Sequence, residues 1–345
     1  MTQLDPPVPL GEVVGDDYRL DEVIGHGGMG VVVRATHGPL ALTVAIKFMR
    51  RDVCGDDGQL GRFEREAHML ARLATEHVPQ VVELAHLPDG EPFLVMELLE
   101  GQDLGQRLSL GPVDLEQTLD IVTKACEGLA EAHRQGIIHR DLKPENLFLA
   151  RELGRVVVKV LDFGCSKQSR TLSQPPRRGR RAVTEPGIGL GTAAYMAPEQ
   201  WRNARDVDAR ADLWSLGVIL YELLADRHPF PADCVGELML KMGLGDLVPL
   251  EELRPDLPGA LTEIVHRCLA VDPRDRPADV EEVLSTLRAV RLGAAVRPAV
   301  APRDEAAHGR GRPSWPSCQP TELAAETWQP GFWRTAPSSA ACILA

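Results

Sequence analysis

The hydrophobic periodicity of this chain changes near residue 100, and that change limits the folds available to it. Before it, apolar and β-branched residues occur in runs of strand length, at 18–24, 31–35, 43–48, 81–85 and 93–96. One helical pattern interrupts them at about 61–74, with Phe63, Ala67 and Leu70 on one face. We therefore expect a small antiparallel sheet that carries one helix.

From Leu115 onward, apolar residues recur at steps of three and four, which is typical of an amphipathic helix. Gly136 is well placed to end that helix. Further helical patterns cover about 212–224, 261–269 and 278–290. The expected fold class is α+β, with a β-rich first part and a mainly α second part.

The segments on either side lack such patterns. Residues 1–17 are acidic and contain prolines, and without a basic start and an apolar core they do not resemble a signal peptide. Residues 293–345 are rich in Ala, Pro and Arg, and we expect a disordered tail or a docking segment there.

Composition narrows the class of protein. The net charge of -12 disfavours sequence-independent binding to nucleic acid, which requires many Lys and Arg residues. The seven cysteines contain no Cys-x-x-Cys pair, and reduced thiols in a cytoplasmic protein are the simplest account. The most apolar run, 213–225, carries Glu222 and is shorter than the ~18 residues of a membrane span. We expect no transmembrane segment.

A glycine-rich segment, Gly-His-Gly-Gly-Met-Gly, occupies residues 25–30. Glycines let a backbone approach a phosphate closely. The same pattern occurs in dinucleotide-binding sites, but there it leads into a helix. Here Val31, Val32 and Val33 follow, and a β-branched run favours a strand. A strand–loop–strand unit suits a cover over nucleotide phosphates and disfavours the dinucleotide interpretation.

Lys47 ends an apolar strand segment, Val-Ala-Ile-Lys at 44–47. Such a lysine commonly extends its ammonium into solvent at a sheet edge. The functional alternative is a buried cation that contacts phosphates and has a carboxylate partner. Helical spacing places Glu66 beside the inward face of the 61–74 helix, whereas Glu64 and Glu76 lie off that stripe.

Residues 139–146 read His-Arg-Asp-Leu-Lys-Pro-Glu-Asn, a polar run between two apolar segments. Asp141 can orient a hydroxyl and accept its proton, and Lys143 can neutralise charge on a transferring phosphoryl group. Asn146 can offer a neutral oxygen to Mg²⁺, a hard cation. Shortly after, Asp162 directly follows a predicted strand at 156–161 and precedes Phe-Gly. Its carboxylate is therefore a second candidate metal ligand.

Together these motifs resemble those of the eukaryotic-like Ser/Thr protein kinase family, in particular its bacterial branch. They occur in the family's order and are followed by Ala-Pro-Glu at 197–199. Arg276 matches the arginine that typically pairs with the Glu199 position. The resemblance covers about residues 18–290.

The resemblance implies a bilobal protein kinase fold. The kinase domain would span 18–292, with an N-lobe at about 18–97, a hinge at 97–101 and a C-lobe at about 102–292. The expected activity is transfer of the γ-phosphate of ATP to Ser or Thr hydroxyls of protein substrates.

The family's roles carry over to individual positions. Lys47 would hold the α- and β-phosphates and pair with Glu66, and Asp141 would be the catalytic base, assisted by Lys143. The metal, Mg²⁺ or Mn²⁺, would be bound by Asn146 and Asp162. ATP contacts are implied for a further set of residues: Ile24, Gly25, Gly27, Gly28, Gly30, Val32, Ala45, Met96, Glu97, Leu99 and Phe148.

Regulation by phosphorylation is also implied. Arg140 precedes the catalytic aspartate, where the family's arginine meets a phosphate on the activation segment, here 162–199. Thr184 stands where bacterial relatives are commonly autophosphorylated, and Thr192 has an expected structural role near the substrate hydroxyl. The alternatives are a nucleotide-binding pseudokinase or scaffold, a small-molecule kinase and an interaction protein.

Overall fold

Short β-branched runs near the amino terminus pair into an antiparallel sheet in the computed structural model, which describes residues 6–15, 17–26, 30–49, 57–163, 190–202 and 207–293. Its described strands are β1 Val13–Val14, β2 Tyr18–His26, β3 Gly30–His37, β4 Leu42–Met49, β5 Val81–His86 and β6 Pro92–Glu97. Their order across the sheet is β1-β2-β3-β4-β6-β5. The predicted strands are confirmed.

The sheet begins before Tyr18. Val13 and Val14 pair with the start of β2, and Val14 is buried. The backbone N–H of Gly11 also donates to the carbonyl of Leu20 over 2.7 Å. Part of the segment expected as an N-terminal extension therefore packs as an edge of this sheet.

Helix α1, Asp57–Leu70, packs against β5 and β6. The predicted bounds of about 61–74 were wrong at both ends, because the helix starts and ends earlier. Its hydrogen bonds tighten after Ala71, where Arg72 and Leu73 donate to carbonyls only three residues back. Such i→i−3 bonds end a helix without a change in the apolar pattern.

A second antiparallel sheet joins β7 Gly101–Asp103 to a distant hairpin made of β8 Leu147–Glu152 and β9 Arg155–Val160. The sequence predicted only the last of them. A two-residue turn links β8 to β9, and both Leu153 and Gly154 have positive φ there, which is the geometry of tight hairpins. This sheet places Asn146 and Asp162 at the ends of adjacent strands.

Helices form most of the remaining described chain. They are α2 Leu104–Ser109, α3 Leu115–Arg134, α4 Leu190–Ala194, α5 Pro198–Arg202, α6 Arg210–Ala225, α7 Val235–Leu244, α8 Leu250–Leu253, α9 Gly259–Cys268 and α10 Val280–Arg291. The helices predicted near 115, 212, 261 and 278 are confirmed, while α2, α4, α5, α7 and α8 were not predicted. Helix α6 is buried on nearly every face, which agrees with its apolar sequence.

The carboxyl end of α3 directs the chain toward the 139–146 segment. Gly136 has a φ of +73° and donates to the carbonyl of His133, and Ile137 donates to that of Ala132. A glycine in this conformation ends a helix and turns the chain sharply. The predicted stop is confirmed.

All the described residues belong to one compact unit. The expected tail at 293–345 lies outside the described residues apart from Gly293. Across the described ranges, none of the helices is both long and apolar enough to cross a membrane.

We predict that Gly217→Ala destabilises the protein. A Cβ at this position of α6 would lie 2.6 Å from the Cβ of Cys268 on α9, and both residues are buried. Overpacking of this kind costs about 1–3 kcal/mol, which urea denaturation would measure. Gly236→Ala in α7 is the matched control, because a Cβ there meets nothing within 4 Å. Equal effects of the two substitutions would contradict the packing argument.

Candidate active site

The glycine-rich segment lies between β2 and β3, so the strand–loop–strand prediction is confirmed. Gly25 is opposite Val32 across the two strands, and Ile24 and Val32 are buried. A Cβ built on Gly30 would overlap the carbonyl oxygen of Phe48 on β4, so this position accommodates only glycine. Gly27 and Gly28 lie outside the described residues.

Lys47 projects from β4 into the protein interior, with a side chain that is only 9% exposed. Its Nζ lies 2.6 Å from Oδ1 of Asp162 and 3.4 Å from Oε1 of Glu66. The lysine is therefore a buried cation with two carboxylate partners, and the alternative of an ammonium extended into solvent is wrong.

The charge on Lys47 is stabilised by these partners. Burial by itself lowers the pKa of the ammonium, but the negative charges of Asp162 and Glu66 outweigh burial and raise the pKa above its ordinary value. Burial also raises the pKa of Glu66, and the nearby Lys47 reduces that shift. The ammonium remains protonated at neutral pH.

The other two carboxylates considered as partners of Lys47 have different partners. Glu64 lies 3.5 Å from Nε2 of His86 at the surface. Glu76 accepts a 2.6 Å hydrogen bond from Arg155. Helical periodicity therefore selected the correct residue, Glu66.

The 139–146 segment ends in a single 3₁₀ turn, Pro144–Asn146. The side-chain Nδ2 of Asn146 donates to the carbonyl of Asp141 over 2.7 Å, which leaves its carboxamide oxygen as the acceptor end. The carbonyl of Asn146 accepts from the N–H of Leu161 over 2.8 Å. Lys143 Nζ lies 3.8 Å from Oδ2 of Asp141. These contacts hold the polar run next to Asp162.

His139 links this loop to the residues around Asp162. Its Nδ1 accepts from the N–H of Asp141 at 3.2 Å, so Nε2 is the donor in the 2.7 Å contact with the carbonyl of Leu161. The ring also packs on Phe163, with centroids 4.9 Å apart. His139 is fully buried and acts as an internal support for the loop.

Asp212, near the start of α6, holds the backbone of the 139–146 loop in place. Its carboxylate accepts from the backbone N–H groups of His139 and Arg140 over 2.8 and 2.7 Å, and from Nε2 of His133 over 2.7 Å. Burial alone would raise the pKa of Asp212, but the hydrogen bonds from His133 and from the backbone N–H of Arg140 outweigh burial and lower it. The carboxylate therefore stays ionised although it is fully buried.

Sequence analysis did not assign this role to Asp212, and no local pattern could have revealed it. The aspartate was noted only as the first residue of a buried helix. Its partners lie more than 70 residues earlier in the chain. The one sequence feature that could have pointed to this role is a charged residue near the start of an otherwise apolar helix.

Arg140 adopts a left-handed conformation with a φ of +64°. Its guanidinium contacts the carbonyl of Val207 at 3.3 Å, and its own carbonyl accepts from Gln200 over 2.9 Å. The arginine thus faces the segment that precedes α6. Thr184 and the side chain of Thr192 lie outside the described residues.

The residues expected to contact the base of ATP belong to the buried apolar core. Ala45, Met96, Leu99 and Phe148 are all at most 4% exposed. Ala45 is opposite Met96 across β4 and β6. Glu97 ends β6, and the chain then crosses to β7 at Gly101. Sequence analysis implied adenine contacts for this set.

The segment after the undescribed region is fixed by two polar pairs. Arg276 binds both carboxylate oxygens of Glu199, over 2.6 and 2.8 Å, as expected from the resemblance. The hydroxyl of Tyr195 donates to Glu222 of α6 over 2.6 Å. Both pairs tie residues 190–202 to the helical part of the protein.

Contacts thus connect the six residues expected to carry the chemistry, directly or through Leu161: Lys47, Glu66, Asp141, Lys143, Asn146 and Asp162. Among the residues described, no three His, Cys, Asp or Glu side chains form a metal cluster. A hard divalent cation bound through one carboxylate, one carboxamide oxygen and substrate phosphates fits Asp162 and Asn146. The Lys47 ammonium next to Asp162 suits the phosphates themselves.

Comparison with known proteins agrees with this geometry. The model of the protein kinase domain family matches residues 18–287. A serine/threonine-protein kinase pkn3 of Myxococcus xanthus is 36% identical over 285 residues, which cover 81% of this chain and 51% of that protein. The serine/threonine-protein kinase PknH of Mycobacterium tuberculosis is 34% identical over 275 residues, which cover 79% of this chain and 42% of that protein.

Solved structures agree on the fold. The crystal structure of the Mycobacterium tuberculosis PknI kinase domain superposes with a TM-score of 0.60 at 25% identity, covering 81% of this chain and 98% of that one. The present chain spans about half the length, or less, of the curated relatives it matches.

We predict that Asp212→Asn lowers the free energy of unfolding and removes hydrogen bonds that hold the 139–146 loop. An amide offers one acceptor oxygen where the carboxylate accepts from three donors, and breaking a buried ionic network costs about 3–5 kcal/mol. Urea denaturation would measure the loss. Asp120→Asn is the matched control, because Asp120 pairs with Lys124 and Arg291 at the surface, where ion pairs contribute roughly 0–1 kcal/mol. A loss no larger than the control's would contradict the role of Asp212.

Proposed function

This chain belongs to the protein kinase family, in its bacterial eukaryotic-like Ser/Thr branch, and from that premise we propose that it phosphorylates Ser or Thr hydroxyls of proteins with ATP. The buried ion pairs of Lys47 with Glu66 and Asp162 carry this proposal. They place a fixed cation beside a carboxylate suited to a metal, as phosphoryl transfer requires.

Asp162 and Asn146 would hold the divalent cation, which we propose to be Mg²⁺, with Mn²⁺ as a substitute. When bound, Mg²⁺-ATP would supply the phosphoryl group, and the metal would supply positive charge that offsets the charge of the phosphates. Lys47 would bind the α- and β-phosphates, and Glu66 would keep its ammonium in position. Positioning and charge stabilisation supply most of the rate enhancement in such sites.

Asp141 would orient the substrate hydroxyl and accept its proton. Lys143, 3.8 Å from that carboxylate, would neutralise charge on the transferring group. Ala45, Met96, Leu99 and Phe148 would enclose the adenine, and the hinge after Glu97 would hydrogen-bond to it. The glycine-rich turn between Gly25 and Gly30 would cover the phosphates.

We predict that Lys47→Met and Asp141→Asn both abolish most phosphate transfer while leaving the protein folded. Loss of a positioned base lowers the rate by roughly 10²- to 10⁴-fold, so Asp141→Asn should bind ATP normally and transfer slowly. Lys47→Met should also weaken ATP binding, because it removes the cation. Transfer of ³²P to a generic protein substrate would measure the rate, and equilibrium dialysis the binding.

Surface substitutions of the same type provide the controls for this experiment. Lys124→Met and Asp120→Asn remove a partly exposed ion pair on α3 and should leave transfer unchanged. Near-wild-type activity in either active-site variant would refute the assigned roles. Wild-type protein that binds ATP but transfers no phosphate would support the pseudokinase alternative instead.

We further propose that phosphorylation of Thr184 activates the enzyme. A phosphate adds roughly two negative charges and can order a segment against an arginine. Arg140 would be that arginine, because its guanidinium already faces the segment near Val207. Thr192 would have a structural role near the substrate hydroxyl.

We predict that Thr184→Ala lowers the rate of substrate phosphorylation. Phosphopeptide mapping after incubation with ATP should find phosphate on Thr184 in the wild type and none in Asp141→Asn, because the modification is autocatalytic. Thr286→Ala, at the surface of α10, is the control. A fully active Thr184→Ala variant would argue against this mode of activation.

The domain that carries this activity would extend over residues 18–292, with the hinge at 97–101. The proposed partners are ATP and protein substrates, without nucleic acid. Phosphoproteomic comparison of the wild type with Asp141→Asn would identify those substrates.

A further inference from the structure

Lys159 on β9 is a buried lysine outside the roles described above. Its side chain is only 4% exposed, although lysines are rarely buried without a partner. The ammonium lies 2.7 Å from Oε1 of Glu97 and 3.1 Å from Oε1 of Glu152. One cation therefore serves two carboxylates on different segments.

Glu97 is the residue at which the first sheet ends and the hinge begins. Its carboxylate oxygen accepts both from Lys159 and from the N–H of Gln80, the latter over 2.8 Å. Its backbone N–H donates to the carbonyl of Gln80 over 2.9 Å. The side chain and the N–H of Glu97 are thus both fixed at the point where the hinge begins.

The position of Lys159 connects two sheets at this crossing. Lys159 belongs to β9 of the second sheet, whereas Glu97 ends β6 of the first. Directly opposite Lys159 on β8 is the buried Phe148, a residue proposed to contact adenine. The Lys159–Glu97 contact therefore connects the strand pair that holds this residue to the start of the hinge.

The charges make this contact specific. Without the ammonium, the carboxylates of Glu97 and Glu152 would repel each other, and each would gain by turning toward water. Both are partly exposed, at 27% and 32%, so each can reach water, and the hydrogen bond from the N–H of Gln80 would oppose that turn for Glu97 without the help of an opposite charge. Glu97 would then lose its fixed orientation while the rest of the sheet remained paired.

We propose that Lys159 is a positioning residue for the adenine end of the nucleotide site: through Glu97 it holds the hinge peptide in the orientation that binds adenine. This inference rests on the proposed function, because it assumes that the hinge binds a nucleotide base. A preorganised binding segment raises affinity by reducing the ordering required on binding. Lys159 therefore affects the affinity for ATP and leaves the chemical step to Lys47 and Asp141.

The test compares three probes on Lys159→Met and the wild type: ATP, adenosine and inorganic tripolyphosphate. The variant should bind ATP and adenosine about tenfold more weakly, which corresponds to about 1.4 kcal/mol, and tripolyphosphate with unchanged affinity. The KM for ATP should rise by the same factor, with kcat at saturating ATP within about twofold of the wild type. Isothermal titration calorimetry and steady-state kinetics provide these measurements.

Glu152→Gln is the matched control. It weakens the other ion pair of the same ammonium at a residue that does not belong to the hinge, and it should leave all three affinities unchanged. A double-mutant cycle of Lys159→Met with Glu97→Ala tests whether Lys159 acts through Glu97. If Lys159 acts through Glu97, the double variant should bind adenosine no more weakly than either single variant.

Several results would overturn the inference. The inference is overturned if folded Lys159→Met binds adenosine with an affinity within twofold of the wild type. It is also overturned if the variant loses affinity for tripolyphosphate as much as for adenosine. Additive effects in the cycle would also overturn it, because a merely structural role for Lys159 predicts them. If Lys159→Met does not fold, Glu97→Gln replaces it in the test. This substitution removes the ionic attraction to Lys159, so it should lower the affinity for adenosine and not that for tripolyphosphate. Unchanged adenosine binding would overturn the proposal.

Failure of the underlying function gives a different result. Wild-type protein that binds neither ATP nor adenosine would overturn the proposed kinase activity and this inference together. Wild-type protein that binds both, with Lys159→Met indistinguishable from it, overturns only the role of Lys159.

Discussion

The buried ammonium of Lys47 is the interaction on which the candidate site depends. A cation out of contact with water is stable only when opposite charges compensate it. Its two partners come from separate elements, Glu66 from helix α1 and Asp162 from the residues after β9. Compensating that one charge therefore fixes the helix and Asp162, the proposed metal ligand, relative to the first sheet, and a displacement of either element would leave a buried charge unpaired.

Asp212 applies the same principle with the opposite sign. Its carboxylate is fully buried and accepts hydrogen bonds from two backbone N–H groups of the 139–146 loop and from His133. The loop has little regular secondary structure, so its backbone groups would otherwise lack partners within the interior. The anion supplies them, and it allows Arg140 to keep a left-handed conformation that non-glycine residues seldom adopt.

The sequence predicted those parts of the fold and the site that local patterns determine. Glu66 followed from helical spacing, and Gly136 followed from its place after the apolar stripe of α3. Strand β7 was missed because its pairing partner, β8, lies far away in the chain, whereas β8 was missed although its hairpin partner β9 follows after two residues. The end of α1 was misplaced because a change in hydrogen bonding leaves the apolar pattern intact. Asp212 and Lys159 were missed as supports for the same reason as β7: an isolated charge in an apolar segment does not indicate which distant group it binds.

Lys47, Asp212 and Lys159 have one property in common that explains their positions. Each is a buried charge whose partners lie on segments that hydrophobic packing alone would allow to slide, since apolar contacts have no preferred direction. Hydrogen-bonded ion pairs do have direction and tolerate little displacement. These three buried charges therefore lie where strands, loop and hinge must be held at fixed orientations. The unfavourable desolvation of each side chain is offset by hydrogen bonds that give the proposed phosphoryl-transfer site its geometry.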